Sequence, residues 1–288
     1  MRFGNQLSLK DLSPLATVPK DHLLVAFKAY FDGGNEADST QYDIVTLAAL
    51  AGDAIHWTNF ERQWNKQVAK HGALWLHTTD ALALRKPFTK QQGWDHIRVE
   101  RFIDDCVSVI ERCAAVRTGK EATYRGLRPI TITVLLKDFK KAVQALPELG
   151  TVEHLCAIQS ASFVFGYGLH CGSSRFQLFF DQGENFYGHI KDRISNPRSL
   201  RTGLGWNLVT HLGESNMRDV PGLQACDVFA WAVNHEFEDG IIRFDWQRRL
   251  LAIDRDREWY DYAALQNPIK ENIKTVQSYK LPRRRPVR

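Results

Sequence analysis

The sequence lacks the features of a secreted, membrane-spanning or zinc-bound chain. There are five cysteines in 288 residues: Cys106, Cys113, Cys156, Cys171 and Cys226. The number is odd and no pair has CxxC spacing, so neither a disulfide framework nor a zinc finger is expected. The cysteines read as reduced core residues of a protein in a reducing compartment. No run of about 18 apolar residues occurs, so no spanning helix is expected. The first twenty residues carry Lys10, Asp11 and Pro14 without a long apolar segment, so no signal peptide is expected either, and the expected location is cytoplasmic. GxSxG, P-loop GK[ST] and GxGxxG are all missing, which leaves serine-hydrolase, P-loop and dinucleotide-binding readings without support. No large excess of either charge occurs: 38 basic against 33 acidic side chains gives a net charge of +5. That balance permits an anionic partner without requiring one.

What is present suits one large α/β domain. The organising stretch is residues 23–32, Leu-Leu-Val-Ala-Phe-Lys-Ala-Tyr-Phe-Asp, closed by Gly33 and Gly34. An apolar, aromatic-rich run bounded by glycine reads as a buried strand. Alternation puts Asp32 on the same side as Lys28 and Tyr30. A carboxylate at such a strand end sits where α/β sheets place their chemistry; alternatively, Asp32-Gly33 only opens a turn. Further strands are expected at 44–51, 129–136, 176–180 and 207–212. Helices are expected at 57–69, 94–117, 139–146, 152–167, 186–194 and 221–237. The expected organisation is an N-terminal arm (1–22), a domain over 23–265 with a helical insert at about 57–118, and a basic tail (266–288) ending Arg-Arg-Arg-Pro-Val-Arg.

Three acids stand out. Asp32 ends the first strand and Asp181 ends Gln-Leu-Phe-Phe. Asp227 lies within Leu-Gln-Ala-Cys-Asp-Val-Phe-Ala-Trp, a helix apolar on both faces and therefore buried. An ionised acid there needs a cation or donors: a structural salt bridge or a hydrogen-bonded acid, or else a metal. Glu184, three residues after Asp181, is a fourth ligand or part of a polar loop. His77 and Asp80 supply a ligand or a proton-transfer group; the competing reading is a helix cap with a hydrogen-bonded histidine. Oxygen donors gathered at one point suit Mg²⁺ or Mn²⁺ and phosphodiester cleavage.

At these residues the chain resembles the bacterial domain-of-unknown-function 3800 family within the ribonuclease H-like group. The matching pieces are Ala-Tyr-Phe-Asp32-Gly-Gly-Asn, Leu-His77-Thr-Thr-Asp80, Phe-Phe-Asp181-Gln-Gly-Glu184 and, most specific, Pro221-Gly-Leu-Gln-Ala-Cys-Asp227. They span most of 23–237. The family's last motif usually has alanine where Cys226 stands. Its first motif has glutamate where Gly33 stands, which leaves the acidic set incomplete at that position. The resemblance implies a mixed five-stranded sheet of order 3-2-1-4-5 flanked by helices.

The expected function is a metal-dependent nuclease or related phosphodiester-processing enzyme. Asp32, Asp181 and Asp227 would hold Mg²⁺ or Mn²⁺, with Glu184, His77 and Asp80 as accessory groups. Arg193, Arg198 and Arg201 would meet nucleic-acid phosphates, or form an ordinary solvated surface. The alternative is a catalytically incomplete module that binds nucleic acid or a protein. A third possibility is a hydrolase of smaller phosphate esters.

Overall fold

The structure is a computed structural model and describes residues 26–34, 43–118, 123–196, 205–239, 242–253 and 255–265. The N-terminal arm, Arg198, Arg201 and the basic tail lie outside the described residues.

The first strand, β1 (Ala26–Gly34), pairs antiparallel with β2 (Ile44–Asp53). The helical insert follows: α1 (Ala54–His71), α2 (Thr78–Leu82) and α3 (His96–Cys113). Asp53 starts α1 by accepting the Ile55 and His56 N–H groups, which satisfies two donors of the first turn. The expected helix over 94–117 ends at Cys113, because the chain turns into a two-stranded ribbon, β3 (Val116–Thr118) with β4 (Thr123–Arg125). Then come β5 (Arg128–Leu135), α4 (Leu136–Ala145), α5 (Val152–His170), β6 (Arg175–Asp181) and α6 (Asn185–Ser195). The strand expected at 207–212 starts later, as β7 (Val209–Ser215), after a short 3-10 turn at Trp206–Leu208. α7 (Pro221–Asp239), α8 (Asp245–Ala252), β8 (Asp256–Tyr260) and α9 (Tyr262–Leu265) complete the described chain.

The main sheet has six strands in the order β7-β6-β1-β2-β5-β8, one more than the expected five; numbered among themselves, the five expected strands run 3-2-1-4-5 from β5 to β7. The five expected strands lie together, and β8 is added parallel to β5 at its outer edge. Its sequence, Asp-Arg-Glu-Trp-Tyr, has no apolar run to announce a strand. Tertiary pairing makes it one: the Arg128 guanidinium donates to both carboxylate oxygens of Asp256 at 3.1 and 3.0 Å. That bidentate contact fastens the start of β5 to β8.

Period-two alternation divides the core. Phe27, Ala29 and Phe31 of β1, with Phe176, Leu178 and Phe180 of β6, face α4, α5 and α6. Tyr30 of β1, with Ala48 and Leu50 of β2, faces α1, α3, α7 and α8. Asp32 falls in the second set, beneath α7. Phe31 pairs with Phe180 across the parallel β1–β6 junction, so Asp32 and Asp181 come level on adjacent strands.

Candidate functional site

Helix α7 lies directly on β1 and β2, and residues 221–230 are all buried. The Pro-Gly-Leu-Gln-Ala-Cys-Asp stretch makes that seating possible. Pro221 opens the helix, where its missing N–H has no role. A Cβ at Gly222 would stand 2.4 Å from the Tyr30 ring, so only glycine admits this approach. The Cys226 thiol donates to the Tyr30 carbonyl at 3.2 Å. Together these contacts hold Asp227 over the end of β1.

Four carboxylates then converge. Asp32 is 2 % exposed, and its Oδ2 has no hydrogen-bond partner. Burial pushes its carboxyl well above the usual range. The charges of Asp227, Glu184 and Asp181 push it the same way, and the Gly33 N–H only partly opposes them. Asp227 is also raised, chiefly by burial, but it is better supported. Its Oδ2 accepts from both the N–H and the hydroxyl of Thr78, each at 2.6 Å. Asp181 is raised by burial against the Met217 and Gln182 N–H groups; the Met217 bond is 2.8 Å.

His77 joins this group. Its Nδ1 is 2.8 Å from Asp80 Oδ2, and its Nε2 is 3.9 Å from Asp227 Oδ1. The imidazole thus stands between a half-exposed carboxylate and the buried cluster. Its proximity favours the ionised forms of Asp227 and Asp181.

Glu184 lies beside Gly33. A Cβ on Gly33 would lie 2.7 Å from Glu184 Oε2 and 2.4 Å from the Phe186 ring. Glu184 therefore fills space that a side chain at 33 would need, and it brings a carboxylate to the same strand end.

The site has members that the sequence reading did not single out. Gln224 is 3 % exposed. Its Oε1 accepts from Trp64 Nε1 at 2.8 Å and Leu76 N at 3.0 Å, while its Nε2 donates to the Met217 carbonyl at 3.0 Å. One amide thus ties α1 to two segments: the one leading into His77 and the one holding Asp181. Asn234 is also buried, with an unpartnered Oδ1, and its amide nitrogen lies 2.2 Å from where a Cβ on Gly34 would be. Arg218, beside Met217, lies over the Trp75 ring at 4.8 Å and keeps an exposed guanidinium at the margin. A glutamine three residues into a buried helix was the available signal for Gln224; nothing local marks Thr78 or Asn234.

Arg193, expected to meet phosphates or to form a solvated surface, lies apart from the carboxylates. Arg193 sits near the far end of α6, nine residues after Glu184 and so about 13 Å along a helix. Its guanidinium lies 6.0 Å from the Trp206 ring centre.

The donor set fits a hard divalent cation in kind, with carboxylate oxygens and one buried oxygen lacking a partner. It does not form a closed cage, since among the described residues no three His, Cys, Asp or Glu side chains stand in metal-holding geometry. Mg²⁺ commonly uses one or two carboxylates and completes its shell with water and substrate phosphate, so the open arrangement remains compatible with it. No protein-family model matches the chain, and no curated protein matches it.

Proposed function

We propose that this chain is a metal-dependent phosphodiester hydrolase acting on nucleic acid, built on a ribonuclease H-like sheet. The observation that carries the reading is Asp32: a fully enclosed carboxyl with an unpartnered oxygen, flanked by three more acids. A structural role would leave that group better paired. Asp32, Asp181 and Asp227 would hold Mg²⁺ or Mn²⁺, with Glu184 close by. A bound divalent ion supplies charge neutralisation at phosphoryl oxygens and activates water.

The chain's own residues supply positioning and proton handling. Thr78 and Met217 orient Asp227 and Asp181. His77, backed by Asp80, can accept or return a proton at Nε2 on the side facing the acids. Arg218 offers a cation for phosphate at the margin.

Cleavage of labelled single- and double-stranded DNA and RNA with Mn²⁺ tests this reading. Wild type is expected to cut at least one substrate, and Asp32→Asn and Asp181→Asn are expected to lose the activity. Cleavage that survives Asp32→Asn, or no cleavage of any substrate with either ion, would overturn it. A second reading is a binding module without catalysis, favoured by Gly33 and by the open ligand set. It predicts binding with no metal-dependent cutting.

A further inference from the structure

We infer that the cleft beside the carboxylates is a stacking subsite for one nucleobase of a single-stranded nucleic acid; this rests on the phosphodiester reading above. The cleft, about 260 Å³, is lined by Leu82, His96, Glu100, Trp231, Arg243 and Phe244. Two of its lining residues stand on helices that also carry residues of the acidic site. Trp231 is one turn beyond Asp227 on α7, about 6 Å along the axis. Leu82 is two residues beyond Asp80 on α2. A base lodged here would therefore leave its adjoining phosphate within reach of the acids.

The lining suits a flat, polar-edged ring. Trp231 is half-buried, and its indole is backed by His235, with ring centroids 3.8 Å apart and planes 19° apart. His235 is itself fixed, since its Nδ1–H donates to the Trp231 carbonyl at 2.9 Å. Trp246 and Phe244 pack around the same indole with centroids at 5.4 and 6.0 Å. The platform is thus built before any ligand arrives, so little side-chain freedom is lost on binding. The rim is charged and exposed: Glu100 offers acceptors, Arg243 donors and His96 either. Carboxylate and guanidinium groups can pair with exocyclic amines and ring carbonyls. The volume is below the roughly 300–1,000 Å³ of drug-sized pockets, which fits one ring system rather than an extended ligand.

The test is fluorescence anisotropy with the full chain in chelator, where no cutting occurs. The probes are a labelled single-stranded oligonucleotide and an abasic strand of equal length. Wild type should bind the base-bearing strand more tightly. Trp231→Leu should weaken that binding roughly 5–150-fold, the worth of one stacked base, and leave abasic binding unchanged. Trp231→Phe should restore most of the loss. Equal wild-type affinity for the two strands, or no binding of either, overturns the subsite without reference to any variant. A parallel Mn²⁺ cleavage reaction separates the two proposals. Base preference without cleavage sinks the hydrolase and keeps the subsite. Cleavage without base preference does the reverse.

Discussion

Gln224 offers the sharpest test of how the site is held. Replacing it by leucine keeps much of the side-chain volume and removes its hydrogen bonds to Trp64, Leu76 and Met217. Trp64 and Leu76 are both fully buried, so their N–H donors would be stranded without water. The Met217 carbonyl lies nearer the surface and can be hydrated. Two orphaned donors at about 1–3 kcal/mol each give a loss of about 2–6 kcal/mol. In a domain of this size, a loss near 4 kcal/mol lowers Tm by about 8–16 °C. Equilibrium urea unfolding measures the change, and amide exchange at Leu76 and Thr78 reports whether the His77 segment loosens with it. Gln224→Glu keeps an acceptor for both donors and, protonated at this buried position, can donate its O–H to the Met217 carbonyl, so its loss should be smaller while it stays neutral. A loss below about 1 kcal/mol for Gln224→Leu would mean that the donors find other partners, and the amide would then not be what couples the two segments.

The two most buried acids should respond in opposite directions. In chelator, Asp32→Asn should raise stability by about 1–4 kcal/mol, since one relieved repulsion is about 4 kcal/mol at roughly 4 Å and an effective dielectric near 20, and less at longer range. Asp227→Asn should lower it by about 1 kcal/mol, because its amide oxygen still accepts from Thr78 but the charge assistance of those bonds is lost. Thermal melting of both variants checks this, and a shift of the same sign in both would refute it. Stability of the metal-free protein should also depend on pH. Asp32, Asp181 and Asp227 have folded pKa values above their ordinary 3.8, so the native state holds more protons than the unfolded chain over that window. Stability contributed by this cluster therefore falls as pH rises from about 4 through the raised values. Denaturation at about pH 5 and pH 8 should show a shallower fall in Asp32→Asn than in wild type. Gly222→Ala should cost about 1–3 kcal/mol by overpacking, since its Cβ would meet the Tyr30 ring at 2.4–2.8 Å; an unchanged urea midpoint would show that α7 has room to move.

Much of the site could be read from short-range pattern. Alternation along β1 placed Asp32 with Tyr30 on one face, and the all-apolar surroundings of Asp227 marked a buried helix. Both follow from periodicities that operate over a few residues. The sixth strand was not legible, because a charged segment becomes β8 only through its pairing with β5. The seat of Glu184 beside Gly33 was equally hidden, as was the contact of Arg193 with Trp206. The polar clamps show the reason most clearly. Thr78 meets Asp227 across 149 residues of chain, and Trp64 meets Gln224 across 160. No local window contains both partners of such a bond. The sequence by itself determined which side chains face inward; only the tertiary structure decided that Asp227 meets two donors of Thr78 while one oxygen of Asp32 has no partner.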